Sequence, residues 1–435
     1  MSQLRSIIIG LALAAALALP GAALAGQYPP PSKPSTTQKA PKGPFHTLTV
    51  CKHGCKYSTI QSAVNKAKAG DTVKVKSGTY REGVTVLGAS KRYLKLIGNP
   101  KDPSKVVLDG SQGKKVPRQN GVRVDGANQV TINGFTSKHY NGNGFYVVNV
   151  SGYELNHLNA TLCGVYGIYA FNSIGGTMEN SQASYNSDSG FYIGQTPKQT
   201  TPERSIVRNV KSFGNVLGFS GTNMRYVTIT KSQWFNNGTG IVPNALDTEK
   251  YAPPEDNVIT DNDIFWNNFN YYAGAPFKLK KQATSAPYPI GVGVLLFGGR
   301  RAEVSNNRIY GNYLVGVGAL KQILLKQTDA ADLIGNQVHD NQFGLGGADL
   351  NGRELFYDGT GTDNCFGPNV GVQTTTPADG STFNPCPFTG ANTFNQSAQG
   401  EALNWSVGDP THEAFWIKHP HAAKPGLTPL EHYKK

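Results

Sequence analysis

After its first 25 residues the sequence has no apolar run long enough to cross a bilayer, since a membrane-spanning helix needs about 20 apolar residues. Residues 1–25 combine Arg5, an apolar run from Ile7 to Leu19, and Ala23-Leu24-Ala25. This pattern is typical of a cleaved signal peptide. We therefore expect an exported protein, secreted or periplasmic, without a membrane span.

The sequence also lacks a basic recognition helix and any nucleic-acid-binding motif, although its formal net charge is +13. A net positive charge favours acidic partners. Part of this charge lies in the signal peptide, the linker and the C-terminal tail, and export argues against nucleic acid. The expected partner is an acidic extracellular polysaccharide, bound by a monomer.

Cysteine is scarce, with five residues in the chain. An exported protein uses cysteine mainly in disulfides, and we predict two of them, Cys51–Cys55 and Cys365–Cys386. His53 lies within the first pair, so a metal site formed by these three residues is the alternative. Cys163 remains unpaired inside the repeat region.

What the sequence does contain is a short phrase that begins with glycine and returns at intervals of about 23 residues. This period is typical of solenoid repeats. In each copy apolar residues alternate with others, as in a short strand with one buried face. The four clearest copies are Gly121-Val-Arg-Val, Gly144-Phe-Tyr-Val, Gly167-Ile-Tyr-Ala and Gly190-Phe-Tyr-Ile.

A single repeat of two or three short strands cannot close a core, so the repeats must stack. Each strand then pairs with its equivalent one period away, which predicts parallel sheets. Asparagine recurs where the turns are expected, and its amide can hydrogen-bond along a stack of identical turns. We predict asparagine ladders at these turns, at Asn186, Asn236, Asn237, Asn267, Asn268, Asn312 and Asn341.

The chain divides into four segments. They are a signal peptide at 1–25, a Pro- and Lys-rich linker at 26–45, a parallel β-helix with an N-terminal cap at 46–365, and an irregular C-terminal cap with a basic tail at 366–435. The N-terminal cap is a short amphipathic helix within residues 57–69, with Ser58 or Thr59 as N-cap. It covers the open end of the first coil.

The period is interrupted by insertions, which in a solenoid become surface loops and often lie beside the binding face. Between regular repeats we expect such loops at 195–204, 246–255, 273–289 and 321–331.

The segment Tyr57-Ser-Thr-Ile-Gln-Ser-Ala-Val, followed by Gly70-Asp-Thr-Val and Ser77-Gly-Thr-Tyr, resembles the start of right-handed parallel β-helix proteins of the pectate-lyase-like superfamily. The resemblance covers about residues 47–365. It implies an all-β fold, a right-handed parallel β-helix solenoid with a short N-terminal capping helix. The group includes lyases, hydrolases, uronate epimerases, adhesins and a periplasmic copper-site maturation protein, so the resemblance does not fix the activity.

Signatures of three enzyme branches of that group are absent from the sequence. There is no Gly-His-Gly with paired aspartates as in polygalacturonases, no Asp-Pro-His as in alginate epimerases, and no Arg-x-Pro-x-x-Arg as in pectate lyases. Asp409-Pro410-Thr411-His412 has an extra residue and lies beyond the coils. These three activities are therefore disfavoured.

The outward positions of the repeated phrase form a column of one residue per coil, Arg123, Tyr146, Tyr169 and Tyr192. Coils stack at about 4.8 Å, so these side chains form a continuous strip. Such a strip can hold sugar rings, and Arg123 can bind a carboxylate or sulfate group. The alternative is that the stacked tyrosines only stabilise neighbouring strands.

Candidate acid–base residues lie near this strip. Asp125 is on the same outward side as Arg123, and His139 and Asp188 lie in turns that lead into its strands. A polysaccharide lyase needs a group that neutralises the uronate carboxylate, a base and a proton donor, which Arg123, His139 and a tyrosine could supply. A hydrolase needs two facing carboxylates. Asp125 and Asp188 are the candidates, but several coils separate them.

Metal binding has two candidate sites. Asp261 and Asp263 offer oxygen ligands for Ca²⁺. The tail histidines offer imidazole ligands for copper or zinc, with a loose basic tail as the alternative, at His412, His419, His421 and His432. No other cofactor is expected.

Three functions remain open from the sequence. The first is an exported β-helix protein that binds, with or without cleavage by β-elimination or hydrolysis, an acidic extracellular polysaccharide. The second is a non-catalytic surface, adhesion or structural module. The third is a periplasmic copper-handling protein.

Overall fold

The structure is a computed structural model that describes residues 39–271, 274–279, 288–323, 325, 330–347 and 349–407, without side chains for 403–407. The predicted signal peptide, most of the linker and the four tail histidines lie outside these residues.

The described chain is built almost entirely of short strands. In chain order they are β1 Thr47–Val50, β2 Thr72–Val75, β3 Gly78–Tyr80, β4 Val84–Leu87, β5 Lys95–Ile97, β6 Val106–Asp109, β7 Asn120–Asp125, β8 Val130–Lys138, β9 Asn143–Val148, β10 Ser151–Thr161, β11 Ile168–Phe171, β12 Ile174–Glu179, β13 Gln182–Ser184, β14 Ser189–Gly194, β15 Ser205–Arg208, β16 Lys211–Phe213, β17 Leu217–Thr222, β18 Val227–Thr230, β19 Gln233–Phe235, β20 Thr239–Asn244, β21 Val258–Thr260, β22 Asp263–Phe265, β23 Val292–Phe297, β24 Gly299–Arg300, β25 Glu303–Ser305, β26 Arg308–Tyr310, β27 Val315–Leu320, β28 Leu333–Ile334, β29 Gln337–His339, β30 Gln342–Phe343, β31 Leu355–Tyr357, β32 Cys365–Phe366 and β33 Thr375–Thr376.

Within the described residues two α-helices flank the strands, α1 at Ile60–Lys66 and α2 at Gln396–Val407. Two 3-10 helices occur at Ala89–Lys91 and Pro103–Lys105.

These strands form two long parallel sheets and one short one. Sheet 1 has 11 strands, in the order β4-β7-β9-β11-β14-β17-β20-β23-β27-β31-β33, and sheet 2 has 20 strands. Each regular coil gives one strand to sheet 1 and two to sheet 2, and the long strands β8 and β10 each pair with both kinds of sheet 2 strand. The chain is thus the parallel β-helix that the sequence predicts.

The side assignment of the repeated phrase is confirmed by burial. The apolar residues of each copy fill the coil interior, where Val122, Phe145, Ile168 and Phe191 are 0% exposed. The glycine that starts each copy lies where successive coils approach closely. A Cβ atom at Gly167 would lie 2.6 Å from the carbonyl oxygen of Gly190, so larger residues cannot occupy this column.

The predicted asparagine ladder is present at Asn186, Asn237, Asn267 and Asn312, and Asn341 belongs to a second ladder. Asn268 instead donates to the Gly311 carbonyl, and Asn236 is a left-handed turn residue. In the first ladder each buried amide nitrogen donates to the amide oxygen of the asparagine one coil further on, over distances of 2.9 to 3.1 Å. Buried polar groups need such partners, because an unsatisfied one costs about 1–3 kcal/mol. The ladder runs through Asn186, Asn215, Asn237, Asn267, Asn312 and Asn351.

The predicted capping helix is confirmed as α1, which is shorter than expected. The Thr59 hydroxyl accepts a hydrogen bond from the Ser62 backbone at 3.3 Å. The Glu82 carboxylate accepts two more from the first-turn N–H groups of Ile60 and Gln61, at 2.9 and 3.0 Å. The helix packs on β1, β2 and β4 and so covers the first coil.

The C-terminal segment is more regular than predicted. Sheet 1 continues to β33, beyond Cys365, and α2 follows it. The helix begins after Asn395, whose side-chain oxygen accepts a hydrogen bond from the Ala398 backbone at 2.9 Å. Its apolar contacts with sheet 1 come from Ala398 and Ala402, too weak a pattern for the sequence to show a helix.

Both predicted disulfides, Cys51–Cys55 and Cys365–Cys386, are present, so the alternative metal site at the first pair is excluded. Disulfides persist in oxidising compartments, which agrees with export. Cys163 is buried and unpaired, and burial raises the pKa of its thiol to about 12. Within the described residues, no helix is both long and apolar enough to cross a membrane.

Candidate active site

The predicted outward column exists in sheet 1. Arg123 pairs with Tyr146, Tyr146 with Tyr169 and Tyr169 with Tyr192, so the four residues occupy the same position on β7, β9, β11 and β14. Parallel pairing spaces neighbouring members about 4.8 Å apart. Arg123 lies above the Tyr146 ring, 5.8 Å from its centre.

The tyrosine rings of this column contact each other. Tyr146 and Tyr169 are stacked with ring centres 4.6 Å apart and planes inclined by 7°. Tyr192 meets Tyr169 edge to face at 4.8 Å, and Tyr166 contacts both Tyr169 and Tyr192 at 4.6 Å. Because the stacked faces are occupied, a sugar ring cannot lie between them.

Burial varies along the column. Tyr192 is 1% exposed and Tyr146 is 7% exposed, whereas the Arg123 side chain is 38% exposed. Tyr192 points away from the coil interior, as predicted, but it lies beneath another segment of the chain rather than in solvent.

The segment that meets Tyr192 is the insertion after β20, residues 246–255. The Tyr192 hydroxyl donates a hydrogen bond to Oε1 of Glu249. The second carboxylate oxygen of Glu249, Oε2, is buried and has no hydrogen-bond partner within the described residues.

Two buried amides hold this insertion on the outer face of sheet 1. Asn223 donates to the carbonyls of Leu246, Glu249 and Lys250 at 2.8, 2.9 and 3.2 Å. Its side-chain oxygen accepts from the Leu246 backbone at 3.1 Å. Gln195 accepts from the Lys250 backbone at 2.9 Å. Glu249 is therefore positioned through the backbone on both sides of it.

A buried ion pair anchors the end of the same insertion. Arg225, whose side chain is 0% exposed, donates through Nε to Glu255 at 3.0 Å and through Nη1 to the Thr196 carbonyl at 3.2 Å. Arg300 and Arg301 lie 3.8 and 3.9 Å from the same carboxylate. The insertion is thus fixed to neighbouring coils by charge as well as by hydrogen bonds.

Burial raises the pKa of Glu249 from 4.5 to about 8. The hydrogen bond from Tyr192 partly offsets this effect, and the negative charge of Asp188 adds to it. Glu249 is therefore mainly protonated at neutral pH. No cation among the described residues contributes to this pKa.

Three tyrosines share the environment of these carboxyl groups. Burial raises the pKa values of Tyr166, Tyr192 and Tyr288 well above the ordinary range, and the charge of Glu249 raises all three further. Asp188 acts in the same direction on Tyr166 and Tyr288. We define the carboxylate cluster as Asp188, Glu249, Tyr166, Tyr192 and Tyr288.

Of the residues predicted to be catalytic, only Asp188 lies in the carboxylate cluster. It is partly exposed, and Oδ1 accepts a hydrogen bond from the Ser189 hydroxyl at 2.8 Å. Arg123 and Asp125 pair with each other at 2.7 Å, three strands away in sheet 1. The Nη2 group makes this contact, while Nε of Arg123 has no partner within the described part of the chain.

His139 stands apart from these groups. It has a φ of 58° in a turn position that adopts a left-handed conformation in successive coils, as at Leu162, Tyr185 and Asn236. Its Nδ1 atom lies 3.2 Å from Asp109. The structure gives it the role of a turn residue and brings it near neither Asp188 nor Glu249 in any described contact.

The two predicted calcium ligands, Asp261 and Asp263, lie in different surroundings. The Asp263 carboxylate is engaged by Arg308 at 2.6 and 2.7 Å, while Asp261 lies in an exposed turn with a φ of 57°. Within the described residues there is no group of three or more His, Cys, Asp or Glu that could hold a metal ion. The tail histidines lie outside those residues.

The sequence reasoning missed Glu249, Tyr166 and Tyr288. Tyr166 precedes the third glycine of the repeat, where the other copies have Asn120, Asn143 and Ser189, so the repeat gave no signal for a tyrosine there. Glu249 and Tyr288 lie in insertions, where the repeat gives no register. Only their folding back onto sheet 1 brings them to Asp188.

Comparison with known proteins agrees with the fold. The family model for the right-handed beta helix region matches residues 102–248. This match and the parallel sheets confirm the predicted right-handed parallel β-helix. No curated protein matches the chain.

Among solved structures, the chain is similar to the Azotobacter vinelandii mannuronan C-5 epimerase A-module, with 17% identity, a TM-score of 0.49, and coverage of 72% of this chain and 90% of that one. An alginate lyase from Paenibacillus sp. has 14% identity and a TM-score of 0.43, with coverage of 72% and 97%. A DFA-IIIase from Arthrobacter chlorophenolicus has 11% identity and a TM-score of 0.43, with coverage of 74% and 93%. At these identities the similarity concerns the backbone alone.

Proposed function

We propose that the protein hydrolyses an acidic extracellular polysaccharide at the carboxylate cluster. What supports this proposal is the burial of Glu249, which raises the pKa of its carboxyl group to about 8, together with the negative charge of Asp188, which acts on the same carboxyl group. Pairs of carboxyl groups whose environments separate their pKa values provide an acid and a base at the same pH.

The two carboxyl groups have distinct roles in this mechanism. Protonated Glu249 is the general acid, which donates its proton to the oxygen of the leaving sugar. Asp188 is the nucleophile or the base that activates water, as in retaining or inverting glycosidases respectively. Water is added across the glycosidic bond, so one product gains a hydroxyl group and the other a proton.

Hydrolysis fits the cluster better than β-elimination. Elimination needs a positive group that neutralises the uronate carboxylate beside the proton to be abstracted. No described cation affects the Glu249 pKa, and Arg123 lies three coil steps away, about 14 Å at the spacing of parallel strands. A pair of carboxyl groups is what hydrolysis requires.

Arg123 supports an acidic substrate. Its guanidinium is partly exposed, and Nε has no hydrogen-bond partner among the described residues. A carboxylate on the bound sugar chain would accept from this group in addition to the existing contact with Asp125.

The test is incubation of the purified protein with polygalacturonate, alginate, glucuronan and chondroitin. New reducing ends and the ultraviolet absorbance of unsaturated uronate are measured in the same samples. Hydrolysis predicts reducing ends without absorbance on at least one polymer. Absorbance in proportion to the reducing ends would replace hydrolysis by elimination. Retarded migration in affinity electrophoresis without any cleavage would favour the non-catalytic binding module.

A further inference from the structure

The positive charge of the chain is concentrated in its first coils. Residues 46–120 contain 15 lysine and arginine residues against 4 aspartate and glutamate residues, a net charge of +11. Residues 121–407 contain 18 lysine and arginine residues against 21 aspartate and glutamate residues, a net charge of −3. One end of the solenoid therefore carries a positive field that attracts anionic ligands.

The acidic residues of this end do not neutralise its surface, because nearby groups already engage them. Each accepts a hydrogen bond from a backbone N–H group, at Asp71, Glu82, Asp102 and Asp109. Among the described residues, Lys105 is the one lysine or arginine of 46–120 that forms an ion pair, with Asp102 at 3.8 Å. The other basic side chains keep their charge for a ligand.

A groove of about 530 Å³ lies at the edge of this positive end. Within the described residues β1 pairs with β2 along one edge, whereas on its other edge only Val50 forms a bridge, with Tyr57. Thr47 and Thr49 line the groove along this open edge. Three exposed lysines line it as well, Lys56, Lys66 and Lys68.

The positive surface continues from the groove onto the outer face of sheet 2. Thr49 of β1 pairs with Lys74 of β2, and Thr72 of β2 pairs with Lys95 of β5. Both of these lysines are exposed. Neighbouring parallel strands are about 4.8 Å apart, so the groove and the two lysines adjoin. We define the basic track as Lys56, Lys66, Lys68, Lys74 and Lys95.

We propose that the basic track binds an acidic polysaccharide at a site separate from the carboxylate cluster. The lysine amino groups bind carboxylate or sulfate groups of the sugar chain. Thr47, Thr49 and the open edge of β1 supply hydrogen-bonding groups for sugar hydroxyls. This inference goes beyond the hydrolysis proposed above and does not depend on it, since the track binds the polymer whether or not it is cleaved.

The shape of the groove favours a single extended chain. A bilayer surface is flat and a nucleic-acid duplex is broad, so neither enters a groove of about 530 Å³. Single-stranded nucleic acid is held mainly by bases stacked on successive aromatic side chains, whereas the basic track and the strand edge beside it consist of lysines and threonines. A polysaccharide chain with acidic groups matches both the charge and the hydroxyl groups.

The basic track is distant from the carboxylate cluster. β2 and β4 belong to the same coil, and four steps of sheet 1 separate β4 from β14, which carries Tyr192. At the spacing of parallel strands these steps amount to about 19 Å. The Debye length at physiological salt is about 8 Å, so the charge of the track acts on a ligand bound there and not on Glu249.

Affinity electrophoresis tests the inference without requiring cleavage. The protein migrates through gels that contain polygalacturonate, alginate, glucuronan, chondroitin or neutral dextran. We expect retardation by at least one acidic polymer and none by dextran. Lys56→Gln combined with Lys68→Gln lowers the affinity about tenfold at about 50 mM salt, and the difference vanishes at about 500 mM because salt screens exposed charges. Lys66 is left unchanged, since it lies in the last turn of α1, where a positive charge stabilises the helix.

The matched control is Lys198→Gln combined with Lys231→Gln, which removes the same charge from exposed positions in later coils and keeps the wild-type affinity. An equal loss in both double variants would overturn the inference, because net charge alone would then explain binding. Absence of retardation by all four acidic polymers would overturn it too, as would equally tight binding to single-stranded DNA or to phosphatidylglycerol vesicles. Retardation without new reducing ends would support the basic track and overturn hydrolysis alone.

Discussion

The Tyr192 hydroxyl donates a hydrogen bond to Glu249, across a sequence separation of 57 residues. Tyr192 comes from the regular repeat and Glu249 from an insertion, so this contact joins the part of the chain that builds the solenoid to the part that adds chemistry. It also places a proton donor directly on a carboxyl group whose pKa burial has raised to about 8.

The first prediction concerns the pH dependence of cleavage. If protonated Glu249 is the general acid, activity falls as the pH rises through about 8. The Tyr192 hydrogen bond lowers this pKa, so Tyr192→Phe raises it and moves the basic limb of the pH–rate profile to higher pH. Tyr57→Phe, far from the site, leaves the limb in place. A limb that moves down or does not move in Tyr192→Phe would contradict the assignment.

The second prediction concerns stability. Because the folded protein holds the Glu249 proton that the unfolded chain releases above its ordinary pKa of 4.5, stability falls as the pH rises from about 5 to about 8. Glu249→Gln removes this penalty. One pKa unit corresponds to about 1.4 kcal/mol, and partial exposure of Glu249 reduces the effect, so we expect a gain of roughly 1–2 kcal/mol at pH 8.5 and none at pH 4.5.

Urea unfolding at the two pH values measures this difference. Asp261→Asn, in an exposed turn, is the control, and we expect it to change the free energy of unfolding by the same small amount at both pH values. A gain from Glu249→Gln that is equal at pH 4.5 and pH 8.5 would show that Glu249 does not titrate with a raised pKa.

The repeat-derived part of the structure followed from the sequence, and the reason is periodicity. Alternation within each phrase fixed which residues face inward, and the constant spacing fixed the pairing of Arg123, Tyr146, Tyr169 and Tyr192. The asparagine ladder followed from the same spacing. Each of these features repeats, so each coil provides independent evidence for the next.

The candidate site did not follow, because it depends on insertions. Glu249 reaches Tyr192 only because Asn223, Gln195 and Arg225 hold residues 246–255 against sheet 1. These contacts occur once, so no spacing in the sequence indicates them. The same holds for the residues that cover Val242, which come from the insertion between β22 and β23 and from α2.

The third prediction tests the anchor of the insertion. Arg225→Met leaves Glu255 buried without its closest partner, and breaking a buried pair in this way costs about 3 kcal/mol. Arg225→Met with Glu255→Met costs less than the sum of the single changes, since no unpaired charge remains. Both variants lower kcat by loosening the backbone around Glu249.

Urea midpoints give the coupling between the two changes. Arg208→Met is the matched control, because Arg208 pairs with Glu179 at 53% side-chain exposure and such surface pairs contribute about 0–1 kcal/mol. Strictly additive effects at Arg225 and Glu255 would contradict a coupled anchor.

The fourth prediction concerns the asparagine ladder. Asn267 is 0% exposed, accepts from Asn237 at 3.1 Å and donates to Asn312 at 3.0 Å. Asn267→Leu leaves partners on both sides unsatisfied and costs about 2–4 kcal/mol. Asn65→Ala, on the exposed side of α1, changes stability by less than about 0.5 kcal/mol. Calorimetric unfolding of the two variants compares them, and equal transitions would mean that the ladder does not stabilise the solenoid.

The most direct test of the proposed activity is the initial rate of reducing-end release by the wild-type protein, Glu249→Gln and Asp261→Asn on the polymer that is cleaved. A general acid contributes about 100-fold or more to the rate. We predict that Glu249→Gln loses at least this factor in kcat with a KM close to that of the wild type, while Asp261→Asn keeps full activity. Equal rates for Glu249→Gln and the wild type would contradict the account.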